Sequence, residues 1–144
     1  MSSSWSTWVE RFMADKTNME KCGIYGKTNG EPWAVSEGMA ATPEEVQHIS
    51  SNYDDNDIFF TEGCRIEGKK FNFLRKVEEV LVFKKSKEDQ NEATGSEKAD
   101  MPFLLAMNTI QACLIGISKG DEESKFKAIR LMETIAEELK KTKY

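Results

Sequence analysis

Hydrophobic residues recur at helical spacing near both ends of the chain. Near the start, one apolar stripe is formed by Trp5, Trp8, Val9, Phe12 and Met13. Near the end, a second stripe is formed by Ala128, Leu131, Met132, Ile135, Ala136 and Leu139. Residues three and four positions apart share one face of a helix, so both stripes predict amphipathic helices. Acidic residues 121–123 precede the second stripe and lysines follow it, which suits the two ends of a helix dipole.

Between these segments the pattern changes to short runs rich in aromatic and branched residues, which favour strands. The runs cover residues 21–26, 32–36, 58–61, 64–67, 70–75, 79–84, 102–107 and 109–117. A further helix is predicted from Thr42 to about Asn52, because Thr42 can cap it and Pro43 suits its first turn. The terminal helices must bury their apolar faces, and an antiparallel sheet offers the surface to do so.

The sequence therefore predicts one α+β domain spanning residues 1–144. We expect a central antiparallel β-sheet of about six to seven strands. The N- and C-terminal helices should flank one face of this sheet, and the shorter helix should lie on the other face.

Composition limits the class of protein. The 144 residues include 20 basic and 25 acidic side chains, a net charge of −5 that is atypical of nucleic-acid-binding proteins. No apolar run reaches the roughly 18 residues of a membrane-spanning helix, and the first residues lack a signal-peptide pattern. Cys22, Cys64 and Cys113 are widely separated, so we expect free thiols in a reducing cytoplasm.

Charge is distributed unevenly along the chain. Residues 86–100 hold five acids and two lysines but no branched aliphatic or aromatic residue, which predicts an acidic, flexible loop inserted in the domain. Residues 64–85 hold seven basic residues against three acids. A basic face is therefore predicted beside an acidic loop.

The residue types needed for catalysis do not occur together in the sequence. His48 is the one histidine, so it cannot form a metal site or a triad with others, and we expect a solvated residue on a helix. Glu78 and Glu79 are adjacent, so on a strand they would point to opposite faces and could not cooperate. These observations favour a binding protein over an enzyme and predict no cofactor and no metal site.

Four aromatic residues suggest a binding groove. Trp5 and Trp8 share a helix face, Trp33 follows a turn, and Tyr144 ends the sequence. They either pack the helix on the sheet or form a groove for a proline-rich peptide in the polyproline II conformation.

The last helix suggests a second surface. Phe126, Ile129 and Arg130 fall on a stripe separate from the core set, which predicts a partner surface. The alternative is that Phe126 folds back at the start of the helix.

The sequence resembles the profilin family over nearly its whole length. The resemblance is carried by five segments: SWSTWV (4–9), GEPWA (30–34), TPEEV (42–46), GCRIEGKKF (63–71) and LKKTKY (139–144). It implies a cytoplasmic protein of the cytoskeleton that binds monomeric actin on one face. It also implies binding to proline-rich proteins, such as formin-like assembly factors, between the terminal helices, and binding to phosphoinositide headgroups.

The resemblance assigns individual residues to these surfaces. The proline groove is implied to contain Trp5, Trp8, Trp33, Leu139 and Tyr144. The actin contacts are implied to be Phe60, Thr61, Lys70, Arg75, Lys85, Phe126, Ile129 and Arg130. Glu138 and Ser124 occupy positions where some members have histidine, which predicts a different groove chemistry and the loss of one actin contact. The acidic insertion beside Lys84 and Lys85 predicts weaker phosphoinositide binding.

One alternative comes from a different class. A small-ligand sensory domain can be built on a similar helix-flanked sheet, and it would need an internal cavity lined by a few polar groups.

Overall fold

The structure, a computed structural model, describes residues 3–13, 19–55, 57–85 and 102–144, with the backbone alone for residues 3–6. The helices are α1 (Ser3–Met13), α2 (Pro43–Ser51), α3 (Ile58–Glu62) and α4 (Glu122–Lys141). The strands are β1 (Met19–Gly26), β2 (Pro32–Val35), β3 (Cys64–Ile66), β4 (Lys69–Val77), β5 (Val80–Lys85), β6 (Phe103–Asn108) and β7 (Ala112–Ser118). The predicted acidic loop, residues 86–100, lies outside the described residues.

The seven strands form one sheet in the order β2-β1-β7-β6-β5-β4-β3. Every neighbouring pair is antiparallel. Helices α1 and α4 pack on one face, which we call the front, and α2 and α3 pack on the other face, the back. The predicted α+β class and the placement of the terminal helices on one face are confirmed.

The central strands are buried on both faces, which explains their nearly continuous apolar sequences. Successive side chains of a strand point to opposite faces. Thus Val80 and Val82 join the front core with Met132 of α4, whereas Leu81 and Phe83 join the back core.

Helix α2 begins where the sequence predicts. The side chain of Thr42 accepts a hydrogen bond from the N–H of Glu45, and the Glu45 carboxylate accepts one from the N–H of Thr42. This reciprocal capping box satisfies two amide groups that the first turn of a helix leaves without partners.

The strand predicted at residues 58–61 is wrong, because these residues form α3. In this helix Phe59 is buried against the rings of Phe73 and Phe83, at centroid distances of 5.9 and 5.2 Å. Gly63 ends the helix at a φ of 64°. An apolar run of four residues fits one helical turn as well as a short strand, so its pattern alone could not separate the two.

Two further expectations change, and one alternative is excluded. Ile129 is only 2% exposed and belongs to the front core, so it does not lie on an exposed stripe. The apolar face of α4 is wider than the set assigned from the sequence, because Ile129 is one turn from the buried Met132. His48 is half-buried, and its ring packs edge-on against Phe59 at 5.6 Å. Phe126 does not fold back; it is exposed within α4.

All three cysteines are free and buried, as expected for thiols that serve as small apolar side chains. Within the described ranges, no helix combines the length and the apolar character needed to cross a membrane.

Candidate functional site

The residues of the predicted aromatic groove come from α1, β2 and the end of the chain. Helix α1 packs on β1, β2 and α4, and Trp8 and Trp33 both pack against the front core. The rings of Trp33 and Tyr144 meet edge-to-face, with centroids 6.3 Å apart and planes at 82°. Leu139 is buried in the front core, against which Trp33 packs. The side chain of Trp5 lies outside the described residues.

Hydrogen bonds to the β6–β7 turn hold Tyr144 in place. Its main-chain oxygen accepts a bond of 2.6 Å from the Thr109 hydroxyl and another from the main-chain N–H of Gln111. Its own N–H donates to the oxygen of Leu139 at 2.9 Å. The side-chain amide of Gln111 also donates to the oxygen of Lys143. The last residues are thus fixed to the same sheet that presents Trp33.

An ion pair joins the two helices at the groove. The two terminal nitrogens of Arg11 donate to the two carboxylate oxygens of Glu138 at 2.7 and 2.8 Å. The guanidinium carbon of Arg11 lies 4.9 Å from the centre of the Trp8 ring. The hydrogen bond from Arg11 lowers the pKa of Glu138 below its usual value, and the same bond raises the pKa of Arg11. The sequence did not single out Arg11, because its partner lies at the other end of the chain.

A basic patch lies on the front of β4 and β5, on the part of the sheet next to the start of α4. Phe71, Phe73 and Phe83 point to the back, so their neighbours Lys70 and Lys84 point to the front. A register shift follows Phe73, after which Arg75 pairs with Val82 of the front core. We define the basic patch as Lys70, Arg75 and Lys84.

Glu122 and Lys125 link α4 to the basic patch. The Nζ of Lys125 lies 2.9 Å from the Glu122 carboxylate, and this bond is the main cause of the lowered pKa of Glu122. The charges of Lys84 and Arg75 lower that pKa further, which places both near the start of the helix.

Lys125 is itself buried between two aromatic rings. Its Nζ lies 4.8 Å from the ring centre of Phe103 and 4.9 Å from that of Phe126. An ammonium at these distances is attracted to both ring faces. Phe126 is 44% exposed, and Arg130 lies one helical turn further on the same side. The structure therefore brings Phe126 and Arg130 beside the basic patch.

The remaining residues of the implied actin surface are placed differently. Phe60 is 64% exposed on α3, with its ring 4.8 Å from that of Phe73, and Thr61 is exposed beside it. Lys85 pairs with Phe71 and points to the back, whereas Lys84 points to the front. Ile129 lies beneath the surface. The actin contacts implied by the resemblance do not include Lys84, although alternation from the apolar Phe83 could have shown that it points to the front.

An open cleft of about 650 Å³ separates α4 from the β4–β5 turn. Glu78 and Glu79 lie in this turn, and both line the cleft together with Glu133. They therefore lie in a turn and not on a strand as expected, and the Glu79 carboxylate reaches the hydroxyl of Tyr53, at 3.4 Å, on the back of the sheet. Burial and the charge of Glu78 raise the pKa of Glu133. Exposed charged residues line most of this cleft, which makes it unlike the internal cavity of a small-ligand sensor.

A sequence model of the profilin family matches residues 3–144. The chain belongs to the profilin family. This profilin is 27% identical over 138 residues to profilin-1 of Caenorhabditis elegans, a match covering 92% of this chain and 94% of the relative. It is similar to rat profilin 2a, with a TM-score of 0.76, 17% identity and coverage of 100% and 99%. It is also similar to mouse profilin IIa in complex with a double repeat from the FH1 domain of mDia1, with a TM-score of 0.75, 16% identity and coverage of 97% and 99%.

Family membership supports actin binding and polyproline binding as the function. The alternative of a small-ligand sensory domain finds no support in these relatives.

Proposed function

We propose that this profilin binds monomeric actin through the front of β4, β5 and α4 together with the exposed residues of α3, and proline-rich segments through the aromatic groove. Binding rather than catalysis is its role, and the cytoplasm is where it acts. The observation that carries the groove assignment is the edge-to-face contact of Trp33 with Tyr144, held in place by Thr109.

The groove suits a polyproline II helix. Such a helix is preformed, so little conformational entropy is lost when it binds, and its flat rings can lie between aromatic side chains. Each such ring contact is worth about 1 kcal/mol beyond the apolar area that it buries, and the two contributions together can reach the roughly 8 kcal/mol of micromolar binding. Trp5, Trp8, Trp33, Leu139 and Tyr144 remain the proposed groove residues. The FH1 repeat held by mouse profilin IIa supports a proline-rich partner for this chain.

The actin surface combines charge with exposed apolar area. The basic patch can approach an acidic surface, and complementary charge chiefly speeds association and fixes orientation. Phe126 and Phe60 add exposed aromatic rings, which commonly carry much of the binding energy of an interface. We propose contacts by Phe60, Thr61, Lys70, Arg75, Phe126 and Arg130, with Lys85 at the margin. Ile129 supports this surface from the core, and Lys84 joins it.

The same basic patch is the proposed site for phosphoinositide headgroups. Lys70, Arg75 and Lys84 share one face, and three cations on one face can attract an anionic lipid surface. The nearby acidic segment 86–100 opposes this attraction.

Two single variants separate the proposed surfaces. Trp33→Ala removes a groove ring, and Arg75→Glu reverses a charge of the basic patch. We expect Trp33→Ala to weaken binding to a decaproline peptide at least tenfold, measured by calorimetry, while actin-monomer affinity stays unchanged. Arg75→Glu should do the reverse.

Circular dichroism and thermal melting of both variants verify that each remains folded. Wild-type decaproline affinity in Trp33→Ala would overturn the groove assignment. Wild-type actin affinity in Arg75→Glu would overturn the actin surface.

A further inference from the structure

The ion pair between Arg11 and Glu138 changes which groups the groove offers to a ligand. A carboxylate accepts hydrogen bonds but donates none, and a proline-rich peptide presents carbonyl oxygens with few or no N–H groups. Glu138 alone would therefore place its acceptor oxygens against the acceptor carbonyl oxygens of the peptide. The indole N–H groups and the Tyr144 hydroxyl can donate elsewhere in the groove, whereas at the position of Glu138 the donor is the guanidinium that Glu138 holds.

The geometry of Arg11 suits that task. A guanidinium carries five N–H groups in one plane, and the pair with Glu138 uses one on each terminal nitrogen. The side chains of Arg11 and Glu138 are each 40% exposed, so the pair lies at the surface. The guanidinium lies over the ring of Trp8, a proposed groove residue, so its remaining N–H groups are close to the proposed ligand site.

We propose that Arg11 donates a hydrogen bond to a carbonyl oxygen of the bound proline-rich peptide, and that Glu138 is a positioning residue that orients Arg11. This inference rests on the proposed function of the groove. The bidentate contact fixes the guanidinium plane before the ligand arrives, which lowers the entropy lost on binding. The ligand chemistry is that of a segment rich in proline whose carbonyl oxygens face α1.

Two other roles for the same pair make different predictions. If the pair only fastened α1 to α4, removing either partner would have the same effect on binding and on stability. If Arg11 instead covered Trp8 and blocked the ligand, removing its charged group would strengthen binding.

Four variants distinguish these roles. Arg11→Met keeps the apolar stem but removes every donor, Arg11→Lys keeps a charged donor without the planar fork, and Glu138→Gln keeps Arg11 but weakens its hold. The matched control is Lys127→Met, which breaks an exposed ion pair with Glu123 on α4. Affinity for decaproline is measured by calorimetry, and thermal melting reports stability.

We expect Arg11→Met to weaken binding about tenfold, as for loss of a hydrogen bond from a charged donor. Glu138→Gln should weaken it only about twofold to threefold, Arg11→Lys should fall between the two, and Lys127→Met should match the wild type. Equal losses in Arg11→Met and Glu138→Gln, or tighter binding by Arg11→Met, would overturn the inference. Wild-type binding by Arg11→Met would overturn the inference alone. Failure of the wild-type protein to bind decaproline would overturn both the inference and the groove assignment.

Discussion

The ring of Tyr144 meets the ring of Trp33 edge-on, with 6.3 Å between the two centroids, although most of the chain lies between these residues. The contact depends on the β6–β7 turn, because Thr109 and Gln111 in that turn both donate hydrogen bonds to the main-chain oxygen of Tyr144. The sheet therefore positions both walls of the groove. One wall is a strand residue, and the other is tied to the turn between two central strands.

Replacing Thr109 by valine tests that dependence. The side chains are nearly isosteric, but valine cannot donate to the oxygen of Tyr144 or accept from the N–H of Ala112. We expect decaproline binding to weaken several-fold and the free energy of unfolding to fall by about 1–2 kcal/mol. Calorimetry and urea denaturation measure the two effects. Thr134→Val, at an exposed position on α4, is the control, and peptide binding in Thr109→Val equal to that of the control would contradict the prediction.

Glu45 connects α2 to the β3–β4 turn. Its carboxylate accepts hydrogen bonds from the main-chain N–H groups of Glu67 and Gly68 at 2.9 and 2.8 Å, in addition to its capping bond. An amide in Glu45→Gln offers one acceptor oxygen and places a donor against these donors. We expect the free energy of unfolding to fall by about 2 kcal/mol in Glu45→Gln. Glu44→Gln, exposed in the same turn of the helix, should change it by no more than about 0.5 kcal/mol. Guanidinium denaturation measures both, and similar values would refute the role of Glu45.

Gly30 and Gly68 allow two costs of an added side chain to be measured separately, namely backbone strain and steric clash. Both have left-handed backbone angles, with φ of 73° and 76°. A Cβ at Gly30 would lie 2.2 Å from the Pro43 oxygen, whereas a Cβ at Gly68 meets nothing within 4 Å. Gly68→Ala should therefore cost only the backbone term, about 1 kcal/mol. Gly30→Ala should cost at least about 2 kcal/mol more, because backbone must move. Urea denaturation measures both variants. Equal losses in the free energy of unfolding would contradict the prediction, because they would mean that the main chain at Pro43 moves aside without an energetic cost.

The buried cysteines should be inert in the native protein. Burial raises the pKa of the Cys22 thiol to about 12 and that of the Cys113 thiol to about 12, and it also raises the pKa of Cys64. Because the thiolate is the reactive form, we expect no reaction with Ellman's reagent within minutes at pH 8. All three thiols should react after unfolding in guanidinium. A thiol that reacts rapidly in the native state would contradict the burial described.

The raised pKa values of the buried thiols also determine the direction in which stability changes with pH. The folded state holds its thiol protons more tightly than the unfolded state, so these groups contribute stability below about pH 8.5, the ordinary thiol pKa. The free energy of unfolding should fall as the pH rises from about 9 towards 12, the folded-state pKa of Cys22. Buried tyrosines Tyr25 and Tyr53, whose pKa values are also raised by burial, act in the same direction.

The sheet and the terminal helices could be predicted because their signals are local. Alternation, helical spacing and the Thr42 cap each depend on residues within a few positions of one another. The segment 58–61 failed because one turn of helix and a short strand share the same apolar pattern. Only the tertiary contacts of Phe59 with two other rings decide between them.

The candidate site was predictable by residue type but not by geometry. The positions of α4 that are buried depend on how much of the helix the sheet covers, and a helical wheel does not show this. The wheel therefore could not reveal that Ile129 is buried while Phe126 is exposed. Lys84 and Lys85 are adjacent basic residues, and only the pairing of β4 with β5 assigns them to opposite faces. Arg11 and Glu138 belong to two helices that the fold alone brings together.

The acidic segment 86–100 should weaken binding of this profilin to anionic membranes. Its five acids and two lysines follow directly after Lys84 and Lys85, and charges interact over about 8 Å at physiological salt. Deleting residues 87–99 removes four of those acids and both lysines, a change of +2 in net charge. We expect the deletion variant to cosediment more strongly than the wild type with vesicles containing phosphatidylinositol 4,5-bisphosphate, and the difference to shrink at 0.5 M salt. Replacing the four acids by their amides within an intact segment changes the net charge by +4 and should give at least the same gain, which separates charge from length. Cosedimentation that neither change alters would refute electrostatic opposition by this segment.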